Sequence, residues 1–194
     1  VSAHVPLMIG CNKDEMTWML SHLPWVAEAT FDTLATGLTP YLGARTAEVI
    51  AAYRAAQPSR RAGEIAVTVV SDLGIRSLSL LMAERKLAQK AADVFVYLFA
   101  WETPVLGGRL RSCHTLEIPF VFGNLETAAI TGTDPGRLAL GDRVSRTWIA
   151  FARSGNPQWP AYSTAERPTM IFDNTWRVES DPYAVERRVW EEKR

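Results

Sequence analysis

The chain has 194 residues, of which 47% are hydrophobic and 22% charged, the balance of a globular protein of one domain or one large piece of a domain. Its 21 acidic residues match its 21 basic ones, so charge gives no case for nucleic acid or an anionic membrane as a partner. No apolar run approaches the roughly 20 residues that a membrane-spanning helix needs. Two cysteines, Cys11 and Cys113, make no disulfide framework and are compatible with a reducing cytoplasm, the expected location.

The first residue is Val1, and the chain runs almost at once into an apolar stretch, so a missing upstream part is expected. Val5 to Cys11 is a continuous apolar run, the pattern of a strand covered on both faces. Asp14 suits the N-cap of a helix from Glu15 to Ser21, which Pro24 interrupts. Glu28 to Thr36 predicts a short helix closed by Gly37, with Pro40 and Gly43 around a turn, and Thr46 to Ala56 predicts another helix. Gly63 to Val70 fits strand and helix equally well. Ser71-Asp72 reads as the cap of a helix over Ile75 to Ala92, whose Leu78, Leu81, Met82 and Leu87 approximate helical spacing.

Val94 to Phe99 reads as a buried strand, followed by a Gly107-Gly108 turn and then His114. Glu126 to Leu140 reads as loop with short helical turns. Asp142 to Arg153 predicts a helix stopped by Gly155. Pro168 to Phe172 and Trp176 to Glu179 predict a hairpin across Asp173-Asn174-Thr175. Asp181-Pro182 reads as the N-cap and first residue of a terminal helix to about Glu192. The fold class is therefore α/β, with a C-terminal hairpin and terminal helix.

His114 lies beyond the carboxyl end of one strand, and Asn12-Lys13-Asp14-Glu15 beyond that of another. Strand carboxyl ends are where open α/β sheets place their chemistry. A histidine titrates near neutrality and can act as a general base once a carboxylate orients its Nδ1–H. Glu15 is the preferred orienter and Asp14 the competitor, because Asp14 suits the helix cap and the longer Glu15 reaches across a strand spacing. His4 and His22 have no motif around them and read as surface residues. Cys113 reads as a small packed residue. Cys11 as a thiol nucleophile is a further reading, weakened by the lack of a glycine elbow around it.

Asn12-Lys13-Asp14-Glu15 resembles the acid-bearing motif of the type-B carboxylesterases, the family of para-nitrobenzyl esterases and cholinesterases. His114-x-x-Glu117-x-Pro119-Phe120-Val121-Phe122-Gly123 resembles that family's histidine motif. Trp148-x-x-Phe151-Ala152-Arg153-x-Gly155-x-Pro157, Trp159-Pro160-x-Tyr162 and Arg167-Pro168-Thr169-Met170-x-Phe172-Asp173 resemble its C-terminal signature. The matches run in family order along nearly the whole chain.

The resemblance implies that residues 1–194 are the C-terminal part of one α/β-hydrolase domain. It implies Glu15 as the triad acid, His114 as the triad base and Glu117 as a buried supporting glutamate; the alternative for Glu117 is a cap on the turn at Ile118-Pro119. The nucleophile of such enzymes sits in a Gly-x-Ser-x-Gly elbow, and no glycine here is followed two places on by serine. Gly107-Gly108 stands in the wrong place to be the oxyanion loop. The expected function is carboxylic ester hydrolysis by a Ser-His-Glu triad, with the serine in an N-terminal part, no cofactor and no metal, and this chain inactive alone. Trp18, Trp101 and Phe122 are candidate gorge-wall residues, with core packing as the competing role. The expected partners are a small ester and either the N-terminal part or a second copy, paired through an exposed sheet edge. The alternative is a non-catalytic interaction module of the same fold, against which the intact Glu15 and His114 argue.

Overall fold

The computed structural model describes residues 2–191. In chain order the elements are β1 (Leu7–Asn12), α1 (Thr17–Leu20), α2 (Pro24–Ala27), α3 (Leu34–Leu42), α4 (Thr46–Ala56), α5 (Ala62–Ser71), α6 (Ser77–Leu87), β2 (Val94–Phe99), α7 (Ile118–Phe122), α8 (Gly136–Ser154), β3 (Pro168–Phe172), β4 (Arg177–Ser180) and α9 (Ala184–Glu191). The strands form one sheet in the order β1-β2-β3-β4. β2 runs parallel to β1 and β3, and β4 closes the sheet as the antiparallel arm of the expected hairpin.

Helices cover both faces of β2, which explains its unbroken apolar sequence. Successive side chains of a strand point to opposite faces. Phe95 and Phe99 pack with Phe120, Val144, Trp159 and Phe172 against the α7–α8 side. Val94 and Val96 pack with Ala83 and Tyr162 on the α6 side. Each aromatic ring fully buried in this way stabilises the fold by roughly 1.5–3 kcal/mol. Gly10 lies opposite Tyr97, and a Cβ there would come within 2.5 Å of the tyrosine ring, so only glycine lets that ring lie across β1.

β1 differs from its sequence reading. Its residues Leu7 to Gly10 are half-buried, and only Cys11 and Asn12 are buried, because among the described residues β1 ends the sheet and pairs with β2 alone. The ambiguous Gly63–Val70 stretch is helical, opened by the Arg61 N–H donating to Glu64 Oε2 at 2.9 Å. Its β-branched residues are buried between neighbouring helices, with Ile65 and Val69 packed on Leu34, Leu38, Val49 and Tyr53. Ser71-Asp72 caps nothing: the helix continues through a π-helical turn, Asp72–Arg76, into α6. The rod Ala62–Leu87 is long and apolar enough to cross a membrane by length and composition alone, contrary to the expectation from single apolar runs. Its first half is core, as Ile65, Ala66 and Val69 show no exposure.

The helix expected over Glu28–Thr36 is displaced. α3 runs through Gly37 and Pro40 and ends at Gly43, whose φ is +56°. Gly37 sits inside the helix because the Trp25 ring packs where its Cβ would be, 2.2 Å away. α8 begins at Gly136 rather than Asp142, and Gly141 admits Leu125 against the helix. Asp181 and Pro182 precede α9 rather than starting it. Asp181 has a φ of +50°, and its carboxylate accepts from Arg187 Nε at 2.6 Å and Nη2 at 2.8 Å. Glu192, the expected end of that helix, lies outside the described residues.

Candidate active site

The parallel pairing of β1 with β2 brings their carboxyl ends together, with Asn12 opposite Phe99. Beyond them, the two connecting segments zip into one another. The Lys13 N–H donates to Phe99 O at 2.8 Å, and the Asp14 N–H to Ser112 O at 2.9 Å. The His114 N–H donates to Glu15 O at 3.2 Å. Ser112 Oγ returns a bond to Phe99 O at 2.7 Å.

This ladder delivers Glu15 to His114. Glu15 Oε2 lies 2.6 Å from His114 Nδ1, and Glu15 Oε1 accepts the Asn12 N–H at 2.8 Å. A carboxylate only accepts, so Nδ1 carries the hydrogen and Nε2 offers its lone pair. The Glu15 side chain is 7% exposed, whereas the imidazole is 47% exposed. The carboxylate is thus shielded and the imidazole half-exposed.

Asp14 has a different task from the helix cap expected of it. α1 starts only at Thr17, without a side-chain cap. The Asp14 carboxylate instead receives Arg111 Nε at 3.3 Å and the Ser112 N–H at 3.4 Å. Arg111 also donates to Glu64 at 2.9 Å and Glu102 at 3.1 Å, so one guanidinium clamps the histidine loop onto β1's end and α5. The loop is strained around the histidine, with φ of +54° at Arg111 and +67° at Thr115. Non-glycine residues adopt that region rarely, and when they do it often lies at functional sites.

Glu117 does not cap α7 with its side chain. Its Oε2 accepts Asn12 Nδ2 at 2.6 Å, and the same nitrogen reaches Cys113 O at 2.7 Å. Burial pushes the Glu117 carboxyl above the usual range, partly offset by the Asn12 bond. Asn12 was named in sequence only as the first residue of the acid-bearing motif, without a role of its own. Its signal was a polar amide closing an apolar strand.

The other candidates separate. Cys11 is buried, and that burial pushes its thiol far up, which removes it as a nucleophile. Cys113 is fully buried and its thiol is pushed up to about 11, also mainly by burial. Trp101 belongs to the core beside Phe120, whereas Trp18 and Phe122 are 57% and 77% exposed. His4 is exposed and His22 exposed, as expected of residues without a motif. Gly107 and Gly108 form part of a tight turn with φ of +66° and +78°. No group of three or more His, Cys, Asp or Glu side chains able to hold a metal occurs among the described residues.

A mixed α/β sheet with a buried glutamate oriented on a half-exposed histidine at the ends of two parallel strands defines an α/β-hydrolase type of site. A sequence profile of the carboxylesterase family matches residues 1–190, and the chain belongs to that family. The para-nitrobenzyl esterase of Bacillus subtilis (strain 168) is 31% identical over 193 residues, covering 95% of this chain and 37% of that protein. The phenmedipham hydrolase of Pseudarthrobacter oxydans is 26% identical over 182 residues, covering 88% and 36%. The crystal structure of a Geobacillus stearothermophilus carboxylesterase superposes with a TM-score of 0.83 at 30% identity, over 98% of this chain and 41% of that one. The chain therefore spans well under half the length of these relatives, and its fold is that of the α/β-hydrolase carboxylesterases.

Proposed function

We propose that this chain supplies the acid and the base of a carboxylic ester hydrolase, as the C-terminal part of one domain whose N-terminal part carries the serine. The observation that carries the reading is the 2.6 Å pair of Glu15 Oε2 and His114 Nδ1, with the imidazole half-exposed. A serine Oγ attacks the ester carbonyl while Nε2 takes its proton. The imidazolium that forms is stabilised by Glu15 and returns the proton to the leaving alcohol. Water then enters by the reverse route and releases the carboxylic acid. Glu117 supports the base from below through Asn12. Backbone amides outside this chain would hold the oxyanion. The exposed Trp18 and Phe122 serve as wall residues for a small ester. A cytoplasmic location is part of this reading, supported by the two free cysteines.

The N-terminal part is also the proposed partner of the open β1 edge, with a second copy of this chain as substitute when that part is absent. An unpaired edge invites another strand. Val5, Trp18 and Phe122, all at least half exposed, add apolar surface to cover. Sedimentation of the isolated chain at micromolar concentration should show self-association, relieved by the N-terminal part; a stable monomer indifferent to that part contradicts the assignment. The catalytic reading is tested with para-nitrophenyl esters. The isolated chain should turn over no faster than a denatured control. Steady turnover abolished by His114→Ala would place the nucleophile inside this chain instead.

A further inference from the structure

We infer that Asn12 is a positioning residue that fixes the acid and the base against each other through three hydrogen bonds from one residue. The inference rests on the triad reading above. The backbone N–H of Asn12 holds Glu15 Oε1 at 2.8 Å, opposite the oxygen that meets His114. Its side-chain amide holds Cys113 O at 2.7 Å and Glu117 Oε2 at 2.6 Å, one residue before the histidine and three after it. The acid and both sides of the histidine loop therefore hang on one strand-end residue.

The chemistry demands an amide. Both side-chain partners are acceptors, so the group between them needs two N–H donors. A serine or threonine hydroxyl has one, an aspartate none and an aliphatic side chain none. The surroundings fix the amide's orientation, since turning it would set Oδ1 against two oxygens. As it stands, Oδ1 is buried and accepts nothing among the described residues. Asn12 is 2% exposed, so water cannot readily replace a lost donor. The side chain's bonds go to Cys113 O and Glu117, not to the imidazole, so it acts through Glu117 and the histidine loop, while its backbone N–H holds Glu15.

The substitutions Asn12→Leu and Asn12→Asp in the complete enzyme separate positioning from mere filling. The charged and titratable groups around the spot are Glu15, Glu117 and His114, with Asp14 and its partners Arg60 and Arg111, and the high-lying Cys11, Cys113 and Tyr97. Asn12→Asp sets a second carboxylate against Glu117. Two carboxylates that close share a proton, and protonation restores one donor. The deficit in kcat should therefore be about a hundredfold near pH 8 and shrink to about tenfold near pH 6, with KM within about twofold. Asn12→Leu should lose about tenfold or more in kcat with no such pH trend.

Asn12→Ser, which keeps one donor and a small polar group, should fall between wild type and Asn12→Leu. It decides the matter should either larger change prevent folding. Folded variants with wild-type kcat at every pH overturn the inference. So do a loss confined to KM, a lowered melting temperature with normal kcat, and identical pH trends for the Leu and Asp variants. His114→Ala is run beside them. If it stays active, the triad reading itself falls; if it is inactive while the Asn12 variants behave as wild type, only the role of Asn12 falls.

Discussion

His114 and Glu15 are joined twice: side chain to side chain at 2.6 Å, and His114 N–H to Glu15 carbonyl at 3.2 Å. The second bond fixes the backbone that carries the imidazole beside Glu15, and the first orients the ring itself. Glu15→Gln keeps the shape but removes the charge that favours the Nδ1–H tautomer and the imidazolium. In the complete enzyme this substitution should lower kcat by roughly 10³–10⁴-fold and leave KM nearly unchanged. Steady-state kinetics on a para-nitrophenyl ester read both constants. A change in KM alone would mean that Glu15 binds substrate rather than orienting the base.

Thiol chemistry provides a second check. Burial holds both cysteines in the protonated, unreactive form, most strongly Cys11. Iodoacetamide at about pH 8, close to a free thiol's own value, should label neither cysteine in the native complete enzyme and leave ester hydrolysis intact. Labelling of Cys11 with matching loss of activity would revive a thiol nucleophile.

A buried network under the site should report on stability. Tyr53 shows no exposure; its hydroxyl donates to Asp72 Oδ2 at 2.5 Å and accepts from Trp190 Nε1 at 2.7 Å. Asp72 also receives Arg76 Nη2 at 2.8 Å across the π-helical turn. Tyr53→Phe leaves buried Asp72 and half-buried Trp190 each short of a partner, at a cost of about 1–3 kcal/mol in denaturant melts. A change within about 0.5 kcal/mol, as at an ordinary surface site, would mean that the hydroxyl is not structural.

Glu117 should mark the pH dependence of stability. Burial raises its pKa above 4.5 in the folded state. The folded protein then keeps the proton after the unfolded chain has lost it, so this group's stabilisation is full at low pH and drains away as pH rises through the folded value. Glu117→Gln has no proton to lose, and Gln Oε1 can still accept from Asn12. The unfolding free energy of the variant, relative to wild type, should therefore rise as pH climbs above 4.5. The opposite slope would show a carboxylate stabilised in its charged form.

The sequence carried the sheet well where local and tertiary demands agreed. Val94–Phe99 alternates between two covered faces, and both β-strand propensity and burial point the same way. Thr46–Ala56 is helical with the same bounds in sequence and structure because its composition and the Pro58 beyond it leave no competitor. Gly37 misled because its meaning is a contact with Trp25, not a stop signal. Ser71 misled in the same way: its hydroxyl bonds Val67 O one turn back and receives the Met16 N–H, so it braces the acid-bearing turn from inside a helix. The pairing of Glu15 with His114 was legible because parallel strands bring carboxyl ends together. Asn12 carried no such signal, since one amide bonding a backbone carbonyl and a carboxylate across two loops leaves no pattern in the sequence.

His114, oriented by Glu15, is proposed here as the base of an ester hydrolase assembled with the N-terminal part. The most direct measurement is hydrolysis of a para-nitrophenyl ester by the complete enzyme and its His114→Ala variant, both shown folded by thermal melting. Loss of the base should lower kcat by at least about 10³-fold, to the remainder left by binding and oxyanion stabilisation alone. Turnover within about tenfold of wild type, the reach of an indirect packing effect rather than of a lost base, would contradict it.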